Sequence, residues 1–434
     1  MGQGLVYLNI QKLMVSLSLI GCVSTSFAVL PEHLKQLSDS ELSEINGGSL
    51  MSLSYIAPND SANKMAGQSV GFYKLGLEAE VQLNANINKL QLGCGGTNGA
   101  GSCDIDIDNL SLSGNSVTSS GRVASDAVLT NPFIEFAIKN PDSASTREVL
   151  GLRLSAEKVL GLLTAGTENS ATANGINSLS GYLKINDATG TATTAVRTGV
   201  NYNNLGLTIT GKAISSDGIV SADFTSNDYS LNLASGTGPL NIKAQTISGS
   251  RMSSVNLAGT ASINNIALTG KISADAKLWG ILPIPLSGDL TGTMSNLNVG
   301  VTVSESLGFI HKLELNNPFS LSLQSQSVWW PTAEATAQKG WWLAIEDPIN
   351  IGDVSPTQQV VVTDEVIKQV IPAVSSYLQQ NPINCGFLAT SCLAGTFNLG
   401  TVSLQNATVN MGLSNLQLKN QDFAPNCYGS LKFC

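Results

Sequence analysis

This sequence predicts a mainly β fold: a long antiparallel β-meander with strongly curved sheets and one amphipathic helix near the C-terminal region. Three observations carry that expectation. Apolar and polar residues alternate with period two through most of the 434-residue chain, the periodicity of a strand with two unlike faces. Charged residues make up only 12% and glycine contributes 42 positions, so turns are frequent and surfaces are built from Ser, Thr and Asn. One segment alone carries a clear helical stripe.

The first segment reads as an export signal. Lys12, the apolar run Leu13 to Ile20 and the small-residue ending Ser26-Phe27-Ala28 fit a secretory signal peptide spanning 1–28, with cleavage between Ala28 and Val29. Leu19-Ile20-Gly21-Cys22 also fits a lipoprotein box, in which Cys22 would become a lipidated N-terminus. Residues 29–48 follow. Here Leu37, Ser38, Glu41, Leu42, Ile45, Gly47 and Gly48 have the spacing of a double-glycine export leader. The residues themselves read as a short capped helix, with Ser38 and Glu41 forming a capping box and Gly47 stopping it. Processing after Gly48 stays open as an alternative.

The strands come next. "YKLGLEAEVQLNANINKLQLG" (Tyr73 to Gly93) and "CDIDIDNLSLSG" (Cys103 to Gly114) alternate and are joined by the glycine-rich "CGGTNGAGSC". That is a hairpin stapled at its tip by Cys94 and Cys103. "STREVLGLRLSAEKVLGLL" is ambiguous: its first half reads as strand and Ala156 to Leu163 as a short helix. Further alternating units run from "SLSGYLKI" to "PLSGDLTGTMSNLNVGVTV", each ending at Gly, Asn or Asp, with no fixed period to suggest a solenoid. In "LWGILPIPLSG" the two prolines predict an edge or a turn, because proline cannot donate to a ladder. The helix is "TDEVIKQVIPAVSSYLQQ": Val366, Ile367, Val370, Ile371, Val374, Tyr377 and Leu378 share one face, Thr363 can cap it, and Pro372 predicts a kink or break. The organisation expected is an N-terminal β-region (49–168), a loop (169–178), a central meander (179–362) and a helix with disulfide-stapled strands (363–434).

Seven cysteines are present; loss of Cys22 leaves an even six, suited to an oxidising compartment. Their close spacing predicts three local bridges, Cys94–Cys103, Cys385–Cys392 and Cys427–Cys434. Net charge is −9 and becomes −10 once Lys12 is removed, so nothing basic invites nucleic acid. No apolar run of the mature chain is long enough for a transmembrane helix.

The residues offer little for catalysis. Two histidines, His33 and His311, cannot supply a multi-histidine metal site, and no G-x-S-x-G, P-loop or H-E-x-x-H motif occurs. Asp104, Asp106 and Asp108 are the candidates for a calcium site, but Asn109 and Asn115 stand where an EF-hand loop needs Gly and Glu. Alternation instead places the three carboxylates on one solvated strand face. The chain is therefore read as non-enzymatic, without cofactor. "SVWWPTAEATAQKGWW" reads as a hairpin with twin tryptophans on each arm. One member of each pair, among Trp329, Trp330, Trp341 and Trp342, should be buried, with cross-strand stacking or a binding surface as its use.

The segments "SLSYIAPNDSANKMAGQSVGFYKLGLEAEVQLNANINKLQLGCGG", "CDIDIDNLSLSG", "LTNPFIEFAIKNPDSASTREVLGLRLSAEK" and "NGINSLSGYLKI" resemble the FilA-type pilus-assembly proteins of Gram-negative bacteria, in which a leader-like "LSDSELSEING" follows the signal. The resemblance implies an exported periplasmic, outer-membrane or surface protein that serves pilus assembly or adhesion with other pilus or envelope proteins as partners; it implies no active site. "IALTGKISADAKLWGILPIPLSGDLTGTMSNLNVGVTV" with the later helix, roughly Leu257 to Gln380, is similar to tubular lipid-binding (TULIP-type) domains. That likeness implies a carrier of a lipid-like hydrophobic ligand, with a void beside the helix near Leu278, Trp279 and Ile281.

Overall fold

The computed structural model describes residues 50–278, 282–385, 395–404, 408–414 and 418–429, and Leu50 onward forms one compact unit. The cleavage residues Ala28 and Val29, the leader-like residues 37–48, and Trp279, Ile281, Cys392 and Cys434 lie outside the described residues. The fold is mainly β, with curved, nearly closed sheets and one long helix.

In chain order the elements begin with β1 (Met51–Ile56), β2 (Val70–Leu77), β3 (Glu80–Leu83), β4 (Ala85–Leu92), β5 (Ile105–Ser113), the short helix α1 (Ser119–Val123), β6 (Ala127–Lys139), β7 (Glu148–Thr164) and β8 (Ile176–Ile185). They continue with β9 (Ala188–Thr193), β10 (Arg197–Asn201), α2 (Tyr202–Leu205), β11 (Ile209–Ile214), β12 (Ser221–Leu233), β13 (Thr237–Ile242), β14 (Gln245–Met252), β15 (Ser254–Ile263), β16 (Ile266–Leu278), β17 (Leu282–Ser295) and β18 (Leu297–Ser306). Last come β19 (Lys312–Leu315), β20 (Phe319–Gln324), β21 (Gly340–Ile349), the helix α3 (Asp364–Gln380), β22 (Ile383–Asn384), β23 (Gly395–Ser403) and β24 (Thr408–Ser414).

Three sheets result. The first runs β1-β2-β6-β7-β20-β21-β8-β5-β4, with β3, β14 and β19 joining its members. Because β5 pairs with both β8 and the far end of β7, the pairings β5–β7–β20–β21–β8 close a circuit. Strands from both sides of residues 169–178 share this sheet, so the expected boundary there separates stretches of sequence that fold together.

The second sheet runs β22-β11-β12-β16-β17-β23, with β10 on β12, and the third β24-β18-β15-β13-β9. The chain passes between them at corners. Asn265 and Asn296, between β15 and β16 and between β17 and β18, take left-handed φ of 55° and 63°, a conformation that asparagine tolerates better than most residues. Most pairings are antiparallel, as expected, but β21–β8, β11–β22, β17–β23 and β18–β24 are parallel, which long returns of the chain permit.

The ambiguous segment is settled as strand: β7 is one continuous 17-residue strand, because β6 on one flank and β20 and β19 on the other supply ladders that override any local helical preference. Among the described residues, the prolines of "LWGILPIPLSG" sit where β17 pairs only with β16, and β23 joins from Gly288 onward. α3 remains helical through Pro372. Thr363 occupies its N-cap without a side-chain capping bond, and Asp364 in its first turn pairs with Arg197.

α3 packs on β11 and β23, near opposite ends of the second sheet, so that sheet curls around it. Gly211 on β11 makes the approach possible: a Cβ there would lie 2.9 Å from Leu378 Cβ and 2.5 Å from the Phe224 ring. Val366, Ile367, Val370, Ile371, Val374 and Leu378 are each at most 2% exposed, so the apolar stripe of the helix is covered. Where the first and third sheets meet, Ile185, Ile242, Val255 and Ile351 surround a void of only about 10 Å³, the density expected of a well-packed interior.

Candidate functional site: an apolar groove on the first sheet

Five strands of the first sheet carry an apolar row in register. Leu53 on β1 faces Leu75 on β2, Leu75 faces Ile134 on β6, Ile134 faces Leu154 on β7, and Leu154 faces Leu321 on β20. The residues one step along form a second row on the opposite face: Ser54, Lys74, Glu135, Arg153 and Ser322. A sheet with one such pair of faces normally turns its aliphatic row inward and its charged row to water. Here the polar row turns inward at Glu135, Arg153 and Ser322.

Glu135 and Arg153 are each 3% exposed, with Glu135 Oε2 2.5 Å from Arg153 Nη2. The loop between β20 and β21 covers them. Trp330 and Phe133 present ring faces 5.3 Å and 5.4 Å from the guanidinium, and Arg153 Nη2 donates to Thr332 Oγ1. Burial pushes the Glu135 carboxyl above, and the Arg153 guanidinium below, their ordinary ranges, with the opposite charge of each partner working against that shift.

The aliphatic row, by contrast, is open to solvent: Leu53 is 75% exposed, Leu154 45% and Ile134 38%. From Leu75 to Leu321 it forms one wall of a groove of about 480 Å³. Leu83, Leu112, Leu163, Leu315 and Phe319 continue the lining. Asn131, at φ 46°, lets β6 roll over, so that Leu129 before it and Ile134 after it both face the groove. Ser155 is the one polar side chain in the lining, and its hydroxyl already donates to Phe319 O at 3.0 Å. This is a surface for holding apolar matter; among the described residues no nucleophile with an adjacent base, and no cluster of metal-binding side chains, faces it.

Arg122 fixes one end of the groove. It is fully buried and uses all five of its N–H groups: Nε to Ser113 Oγ, Nη1 to Thr164 Oγ1 and Ala424 O, Nη2 to Ser111 Oγ and Leu162 O. Burial lowers its pKa to about 10, so it stays charged at neutral pH. Because Ser111 and Ser113 alternate with Leu112, pinning them to β7 holds Leu112 and Leu163 in the groove wall.

The residues singled out in the sequence lie elsewhere. Asp106 and Asp108 share a half-exposed face, both paired with Lys89 at 2.5 Å and 2.8 Å and both accepting from Asn177. Burial opposes ionisation of Asp106, but hydrogen bonds from Lys89, Gln91 and Asn177 prevail and hold its carboxyl below the usual range. Asp104 is not on that face. It is 1% exposed and accepts from Arg251 Nε, Asn98 Nδ2 and the Trp341 amide, because β5 begins only at Ile105 and the residue before it is turned inward. The Cys94–Cys103 disulfide closes the β4–β5 tip. Cys385 and Cys427 are each disulfide-bonded.

Of the tryptophans, Trp330 and Trp342 are 2% and 1% exposed and Trp329 is 38% exposed, the alternation expected. Trp329 and Trp330 are in the loop after β20, outside any strand, and Trp330 packs on Phe72 at 5.7 Å and on Arg153. Trp330 roofs the buried ion pair on the face away from the groove. The groove itself left a trace in the sequence, the leucine-rich "LGLRLSAEKVLGLL" beside "NPFIEFAIK", but its polarity did not.

No protein-family model matches this chain, and no curated protein or solved structure matches it significantly.

Proposed function

We propose that this chain is a non-enzymatic, exported cell-envelope protein that binds a lipid-like apolar ligand in the groove of its first sheet. The observation that supports the reading is the inversion of faces. Exposing a contiguous aliphatic surface while burying an ion pair works against stability on both counts, and a ligand that covers the surface offsets it. A groove of about 480 Å³ falls within the size range of small-molecule sites. The export signal and six remaining cysteines favour an oxidising compartment outside the cytoplasm, and no described helix is long and apolar enough to cross a membrane.

Native mass spectrometry of the protein purified from its host, together with titration of a fluorescent long-chain fatty acid, tests this. A bound lipid is expected, and Leu154→Asp should abolish fatty-acid binding while Val117→Asp, at a 92% exposed site outside the lining, leaves it unchanged. Equal binding by both variants would sink the reading.

A second reading, service in surface-fibre assembly, draws on the resemblance to FilA-type proteins and on one observation: β1 is a terminal strand of the first sheet with apolar, exposed side chains. Loss of surface fibres on deletion of the gene, restored by the intact chain, is the expected result; unchanged fibres would remove it.

A further inference from the structure

Sheets protect their edges, and most edges here are protected. On β4, Asn86 Nδ2 donates to the carbonyls of Asn426 and Tyr428 in the C-terminal segment, and Lys89 stands exposed beside it. β9 is bridged by Val354 and Val360. β1 differs. Its sequence, Met51-Ser52-Leu53-Ser54-Tyr55-Ile56, holds no charge and no proline, its register with β2 is unbroken, and among the described residues no strand covers its outer side. Short charged strands, prolines and bulges are the usual devices against edge pairing, and β1 has none of them.

The free main-chain groups can be assigned. Glu78 N donates to Leu50 O at 2.9 Å, one step beyond the Met51–Leu77 pair. Antiparallel ladders alternate, so Leu50, Ser52, Ser54 and Ile56 bond toward β2. Met51, Leu53 and Tyr55 therefore turn their N–H and C=O groups outward. The same three residues carry the exposed large apolar side chains of the strand, at 57%, 75% and 41%.

We propose that β1 is the dimerisation edge of this protein: two copies pair through β1, antiparallel, about a twofold axis at Leu53. The strand is self-complementary in that register. Outward-bonding residues must meet outward-bonding residues, which sets Leu53 against Leu53 of the second copy and Met51 against Tyr55 of the second copy. Ser52 then faces Ser54 of the second copy on the other side of the sheet. No charge on β1 opposes this, although the chain as a whole carries −9. Residues 37–48, which precede the strand, read as a capped helix and are unsuited to an extended ladder. Pairing would carry the Leu53–Leu75–Ile134–Leu154 row across the axis, making the two grooves flanks of one apolar trough. The inference deepens the assembly reading by naming its partner, a second copy, and stands on the edge strand independently of any ligand.

Analytical ultracentrifugation of the exported chain with its disulfides intact, across a concentration series, is the test. A concentration-dependent dimer is expected. Leu53→Pro removes an outward N–H while sparing the bonds to β2, and should weaken the dimer about a hundredfold with an unchanged circular dichroism spectrum. Mixing a Ser52→Cys variant with a Ser54→Cys variant should give a covalent dimer under mild oxidation, whereas neither variant alone should; this arm decides if Leu53→Pro fails to fold. A monomer at every concentration, a dimer indifferent to Leu53→Pro, cross-linking within either single variant, or β1 amides protected from exchange in a monomer would each overturn it. Loss of fatty-acid binding with the dimer intact would count against the ligand reading alone.

Discussion

Removing the charge of Glu135 should be among the more damaging single changes in this protein, although it lies on a strand whose aliphatic residues are the ones exposed. Glu135→Gln keeps the shape but leaves the Arg153 guanidinium, 3% exposed, with Thr332 Oγ1, two ring faces and the charge of Glu346 for company. At the 2.5 Å separation of the pair, Coulomb attraction is about 6–7 kcal/mol at an effective dielectric of ~20. Relief of the carboxylate's own burial offsets part of this, giving a net loss of about 3–5 kcal/mol. Leu154→Ser on the aliphatic face should cost only about 1–1.5 kcal/mol, since Leu154 is already 45% exposed and a fully buried leucine is worth about 2–3 kcal/mol. Urea unfolding followed by tryptophan fluorescence, with circular dichroism as a second probe, measures both. A cost below about 1 kcal/mol for Glu135→Gln, or a larger cost for Leu154→Ser, would refute the inversion of faces.

Other perturbations follow from the same geometry. Arg122→Met gives up four bonds of 2.8–3.0 Å, worth about 6–8 kcal/mol gross, and recovers about 3 kcal/mol of desolvation, given a pKa lowered to about 10. The expected net cost is about 3–5 kcal/mol by urea unfolding, with earlier proteolytic cleavage in residues 418–429. His311 is fully buried, Nδ1 bonds Ala165 O, and burial lowers its pKa; stability should therefore fall as pH drops below about 6.5, and His311→Gln should flatten that slope in melting curves. Val370→Ala, on the buried stripe of α3, should cost about 2 kcal/mol in the same unfolding assay, whereas a value near zero would indicate a void. Replacing Cys94 and Cys103 by serine opens a loop with a sequence separation of 9 and should cost about 2–3 kcal/mol by the chain-entropy model, read as a lower urea midpoint.

Much of the architecture was legible in residue order. Alternation marked the strands, "CGGTNGAGSC" marked a stapled hairpin, and Val366 to Leu378 marked a buried helix face, because each depends on neighbours within a few residues. Ala156 to Leu163 was not legible as strand, since its ladders come from β6, β19 and β5, up to about 150 positions away along the chain. The three aspartates looked equivalent, yet Asp104 was claimed by Arg251 from β14, a partner that spacing cannot reveal. The candidate site was hidden for a related reason. Period two states that Ile134 and Leu154 lie on one face and Glu135 and Arg153 on the other, but it carries no sign for inside and outside. That sign was set by which face the Trp329–Trp330 loop covered. By itself the sequence determined the strands, the helix and the stapled tip; the tertiary structure alone decided which face of the first sheet meets water, because burial is a property of what packs above a strand and not of the strand.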